Sequence, residues 1–96
     1  MFAEHLRFRV APEHTDAFHA HNRHWRDALS ACDGYIEQIT LRHVDQEGTW
    51  LVIVRWRDRA AMEAFPAAQQ ARLDAIGGTI STLIQSDHFT PYPSDL

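Results

Sequence analysis

From Thr49 to Arg57 the chain reads TWLVIVRWR, apolar at every position from Trp50 to Val54 and again at Trp56. A strand points successive side chains to opposite faces, so a run of this kind is apolar on both and needs cover on both. This places the segment inside a sheet, with helices over one face. The other face would expose Val52, Val54 and their neighbours to water in a monomer, and contiguous apolar surface of that sort marks an interface. Pairing the open sheet faces of two copies, as a homodimer, is the simplest way to cover them.

The remaining segments supply a sheet and its helices. Strand alternation over about 4–10 sets Leu6, Phe8 and Val10 against His5, Arg7 and Arg9. Pro12 suits a helix start, and Glu13 and Asp16 complement the dipole of a helix over about 12–32. In that helix Phe18, His21, Trp25, Ala28, Leu29 and Cys32 recur at three- or four-residue spacing. Asp33-Gly34 closes it, with Gly34 in the left-handed conformation. Strands over about 35–44 and 49–57 flank the turn Asp45-Gln46-Glu47-Gly48 and form a hairpin. Asp58 caps a helix over about 59–76 that Pro66 breaks, and Gly77-Gly78 ends it before a strand over about 79–88. The order β-α-β-β-α-β predicts a ferredoxin-like α+β fold, with two helices on one face of a four-stranded antiparallel sheet. Ninety-six residues suffice for one such domain, here 1–96, and are too few for two.

Composition removes several function classes. All nine basic residues are arginine, and their scatter in a chain of net charge −4 gives nucleic acid no basic stripe to bind. Without lysine there is no Schiff-base chemistry and no P-loop of the usual kind. Cys32 stands alone, so an intrachain disulfide and CxxC sites are excluded, and a reducing cytoplasm is the expected compartment. MFAEHLRFRV does not read as a signal peptide, and no segment approaches a membrane span. Gly77-Gly78 follows a helix instead of a strand, the reverse of a dinucleotide fingerprint. His14, His21 and His24 lie near whole turns of the first helix, but no H-x-x-x-H or H-E-x-x-H pair occurs, so no metal site is expected.

Several of these segments carry a family resemblance. The D-G-Y-I-E-Q element at 33–38, the strand L-V-I-V-R-W at 51–56 and the helix signal R-D-R-A-A-M-E-A-F at 57–65 resemble the antibiotic biosynthesis monooxygenase domain, of the dimeric α+β barrel superfamily. The likeness spans roughly residues 2 to 88. It implies a dimeric barrel and, among several family activities, a cofactor-independent oxygenase acting on a small aromatic or phenolic compound. The family also has a haem-degrading branch, whose strand-one asparagine meets Glu4-His5-Leu6 here. Its helix tryptophan falls on Phe65 and its haem-ligating histidine on Ala75. Haem degradation is therefore not expected, although His14, His21 and His24 leave haem open, and flavin needs no motif to sit in an aromatic cleft.

His21 and Trp25 lie one turn apart on the face turned to the sheet. Given the resemblance, His21 is the expected general base toward a phenol, in a pocket walled by Trp25, Trp56, Phe18 and Phe65; its alternative role is that of a hydrogen-bonded, half-buried structural residue. His5 is a second catalytic candidate, and alternation does not decide whether it faces the pocket or the dimer. The arginines of the strands are expected at rims and interfaces, and Cys32 is expected to be an inert buried thiol. Two rival functions share the same pocket: non-catalytic binding of a small ligand, and oxygen-independent isomerase or cyclase chemistry.

Overall fold

The computed structural model describes residues 1–95. Strand β1 (Phe2–Arg9) leads through a 3-10 turn at Pro12–His14 into helix α1 (Thr15–Ser30). Strands β2 (Tyr35–Arg42) and β3 (Thr49–Trp56) form the hairpin, and helices α2 (Arg59–Glu63) and α3 (Ala67–Gly77) precede strand β4 (Thr82–Phe89). The sheet is antiparallel throughout, in the order β2-β3-β1-β4, so the apolar β3 is internal. This is the ferredoxin-like α+β fold.

Where element ends depart from expectation, local hydrogen bonds explain it. β2 stops at Arg42 because the His43 imidazole turns back, its Nδ1 accepting from the backbone N–H groups of Asp45 and Gln46 at 3.0 and 2.9 Å. β4 begins at Thr82 because the backbone N–H groups of Ile80 and Ser81 still donate to the Gly77 carbonyl, each at 2.9 Å. The Asp58 carboxylate caps α2 by accepting from the Ala61 N–H at 2.8 Å. Gly34 has φ of +85°, and a Cβ there would lie 2.6 Å from the Ala61 Cβ, so both backbone twist and helix approach require glycine.

The strand register settles the faces, and here one expectation is corrected. Val52 and Val54 lie on the helix-covered side with Trp50 and Trp56, and are 3% and 4% exposed. Leu51, Ile53 and Arg55 occupy the open side, opposite Leu41, Ile39 and Glu37 of β2. Alternation separates the two sets but carries no label saying which one meets the helices. The core is Phe2, Val10, Phe18, Leu29, Val52, Val54, Trp56, Ala61, Phe65 and Leu73. Each large side chain buried there contributes about 1.5–3 kcal/mol.

Candidate active site

Helix α1 turns Phe18, His21, Asn22, Trp25 and Leu29 toward the sheet, the 3- and 4-residue spacing of one helical face. Its counterpart α3 has one buried residue, Leu73, and presents Gln70, Asp74 and Gly77 on the same side. A helix with so little apolar surface cannot fill the space between itself and the sheet. A cavity of about 610 Å³ remains, a size suited to a small organic ligand.

Its walls include Phe18, Trp25, Trp56 and Phe65, and His21 lies among them. Trp25 and Phe65 pack with ring centroids 5.7 Å apart. His5 is not brought here. It alternates with Glu4 and Leu6, which line the cavity, and its ring lies 4.5 Å from that of Phe89 across the open face of the sheet. His19 does not point away from the core as its spacing suggests, since its ring meets Trp50 edge-on at 4.7 Å.

Within the cavity the Trp25 indole Nε1–H donates to His21 Nε2 at 3.1 Å. An indole nitrogen only donates, so Nε2 offers its lone pair and the neutral ring carries its proton on Nδ1. Gly77 makes room for the imidazole: a Cβ at that position would lie 3.1 Å from Nε2. Burial lowers the pKa of His21 below its usual value; the Leu73 backbone and the Asp74 carboxylate oppose the shift and the His24 imidazole adds to it. Glu4, on the sheet side, is raised above the ordinary carboxylate range by burial, an effect that His88 and Trp56 reduce.

Four buried polar atoms around this cavity have no hydrogen-bond partner of normal geometry among the described residues: His21 Nδ1, Asn22 Nδ2, Gln38 Oε1 and Trp56 Nε1. Their residues are all more than nine-tenths buried. An unmet polar atom in such a place costs about 1–3 kcal/mol. Gln38 is itself held in position, its Nε2 donating to the Asn22 carbonyl at 3.2 Å. The set comprises three donors and one acceptor in an aromatic-walled cavity, the complement of a flat ligand bearing several oxygens.

Asn22, Gln38 and Glu4 were not singled out from the sequence, although each had a signal. Glu4 interrupts the apolar series Phe2, Leu6, Phe8, Asn22 sits within the inward stripe of α1, and Gln38 closes the D-G-Y-I-E-Q element. Among the described residues no group of three His, Cys, Asp or Glu side chains converges as a metal site, and no helix is long and apolar enough to cross a membrane. Phe65 and Ala75, which fall where the haem-degrading pattern has its tryptophan and its haem ligand, cannot supply that ligand, so these residues do not fit the haem-degrading arrangement.

The family model for Antibiotic biosynthesis monooxygenase matches residues 1–72. No curated protein matches the sequence. Among solved structures, SnoaB, a cofactor-independent oxygenase from Streptomyces nogalater, is 20% identical with a TM-score of 0.80, covering 95% of this chain and 92% of its own. MupZ from Pseudomonas fluorescens is 12% identical with a TM-score of 0.80, covering 96% of this chain and 73% of its own. A conserved protein of unknown function from Bacteroides thetaiotaomicron is 12% identical with a TM-score of 0.78, covering 92% and 94%. At these identities the structural likeness establishes the fold alone. The family match establishes more: the chain belongs to the antibiotic biosynthesis monooxygenase family.

Proposed function

We propose that this member of the antibiotic biosynthesis monooxygenase family is a cofactor-independent oxygenase of a small, oxygen-bearing aromatic compound. The observation that carries the reading is the set of unpartnered atoms on His21, Asn22, Gln38 and Trp56, gathered around one aromatic-walled cavity. Phe18, Trp25, Trp56 and Phe65 flank the ring system, and His21 is a titratable side chain among them that meets a substrate oxygen. SnoaB, which shares the fold, is a cofactor-independent oxygenase, and this supports the choice of chemistry.

A phenol or enol in such a site loses a proton, and the resulting anion gives electrons to dioxygen far more readily than the neutral form does. The substrate carbon is oxidised and dioxygen is reduced. When a phenol or hydroquinone becomes a quinone-type product, the substrate gives four electrons, one oxygen atom enters the product and the other leaves as water. When a flavonol ring opens, both oxygen atoms enter the products. In neither case is an external reductant required. The protein's part is to orient the ring, exclude water and stabilise the anion.

The reading includes a second copy on the open face of the sheet, where Ile39, Leu41 and Phe89 are 36%, 45% and 51% exposed beside Leu51 and Ile53. An apolar stripe of this extent is costly to leave in water. The Glu37–Arg55 ion pair lies on the same face and would set the register of the pairing.

The test is oxygen uptake with mass analysis of products, on purified metal- and flavin-free protein offered anthrols, hydroquinones and flavonols. Uptake matched by a hydroxylated, quinone or ring-opened product is expected. Tight binding without turnover would convert the reading to a ligand-binding protein, and turnover indifferent to oxygen would convert it to an isomerase or cyclase.

A further inference from the structure

Glu4 is the charged residue on the helix-facing side of β1, in a series otherwise made of Phe2, Leu6 and Phe8. A carboxylate in that setting is usually compensated by an arginine. Among the described residues Glu4 makes no ion pair, although nine arginines are present in the chain; the side chains that favour its charged form are His88 and the Trp56 indole. What surrounds it belongs to the cavity. His88 stands opposite it in the β1–β4 register, and Val54 opposite it on β3. The indole of Trp56, also from β3, acts on the Glu4 carboxyl, and its nitrogen has no other hydrogen-bond partner among the described residues. From the helices, Asp74 of α3 and His21 of α1 line the same space. No packing gain offsets a half-buried, unpaired carboxylate at a position where valine or leucine would fit the pattern.

His21 has the opposite problem. A general base needs a free lone pair, and the one on His21 is already taken by the Trp25 indole, while the free position, Nδ1, carries the proton. We propose that Glu4 is the proton acceptor of this pocket, and that His21, tethered by Trp25, is a neutral hydrogen-bond donor to a substrate oxygen. The inference rests on the oxygenase reading of the cavity and divides its proton chemistry between two residues. The substrate O–H bond breaks, the proton passes to the Glu4 carboxylate, and the electron pair stays on the substrate oxygen. The His21 Nδ1–H stabilises that oxygen without giving up its proton. Trp25 is a positioning residue, acting through His21.

Nuclear magnetic resonance of the free protein, with nitrogen-15 in histidine and carbon-13 in the glutamate carboxyls, followed from pH 5 to 9, tests this without any ligand. The expected pattern is a neutral His21 with its proton on Nδ1, and a Glu4 carboxyl that titrates above the other glutamates. Trp25→Phe should shift the His21 proton toward Nε2. A wild-type His21 protonated on Nε2, or a Glu4 that titrates with the surface carboxylates, overturns the inference. In the oxygen-uptake assay, Glu4→Gln should lower flavonol turnover by about a hundredfold or more and abolish the acidic limb of its pH profile. Quenching of tryptophan fluorescence by the flavonol should be unchanged in that variant. Undiminished turnover in Glu4→Gln also overturns it. If wild-type protein consumes no oxygen with the whole panel, the oxygenase reading fails, and the resonance titration still decides the tautomer of His21 and whether Glu4 is the raised carboxyl.

Discussion

Val52 and Val54 are almost wholly buried, while Leu51 and Ile53, their neighbours on the same strand, have only the sheet behind them. The same alternation runs through β1, where Leu6 lines the cavity and His5 and Arg7 face outward. Both sides of β3 carry large apolar residues, yet one is closed by the chain's own helices and the other is left open. Hydrophobicity therefore says that both faces need cover; connectivity says which is covered from within. The covered face is itself uneven. The cavity is lined from both helices, but α1 brings four buried residues to this face and α3 only Leu73.

The largest effect expected from this contrast is between Val54→Asp and Ile53→Asp. A carboxylate at position 54 would be buried without a partner, at a cost of several kcal/mol against a total stability of about 5–15 kcal/mol for a domain of this size. Circular dichroism should show Val54→Asp unfolded. Ile53→Asp should keep the wild-type spectrum and sediment as a monomer where the wild type sediments as a dimer. A folded Val54→Asp, or an Ile53→Asp still dimeric in sedimentation, would break the comparison.

A smaller effect separates what the two helices contribute to the covered face. Phe18→Ala should cost about 3–5 kcal/mol, because its ring touches Phe8, Trp50 and the surrounding core. Leu73→Ala should cost about 2 kcal/mol, the low end for such a truncation, since Leu73 is the one buried side chain of α3 and has fewer neighbours from its own helix to lose. Urea denaturation of the two variants checks the order. Equal losses would mean that α3 packs on the sheet as closely as α1 does.

The smallest effect lies in pH dependence. Burial raises the folded pKa of Glu4 above its unfolded value near 4.5, so the folded state holds this proton more tightly than the unfolded state does. The resulting stability penalty is absent at pH below the unfolded value, grows as pH rises, and is complete above the folded value. Glu4→Gln should accordingly raise the Tm at pH 8 and leave it unchanged at pH 3. An increase of equal size at both pH values would show that the gain is one of packing and not of charge.

How much of this was legible in the chain varies by element. The inward stripe of α1 could be read directly, because Phe18, His21, Trp25 and Leu29 repeat with the helical period, and all four line the cavity. The break at Pro66 was equally plain, since proline cannot donate the hydrogen bond that a continuous helix requires there. Glu4, Asn22 and Gln38 were missed because a polar residue within an apolar pattern looks like noise until its neighbours from other elements are known. Asn22 and Gln38 meet across 16 residues of sequence, and no local period connects them.

Periodicity and turn residues by themselves determined the β-α-β-β-α-β order, the central place of β3, and the aromatic character of the helix–sheet interface. These are properties of single segments, set by where successive side chains point along one strand or one helix. Only the tertiary structure decided that Val52 and Val54 face the helices, that His5 faces away from the cavity, and that the His21 lone pair is engaged by Trp25. A period of two divides a strand's residues into two sets without naming the sets, and the names come from the direction in which the connecting helices cross the sheet.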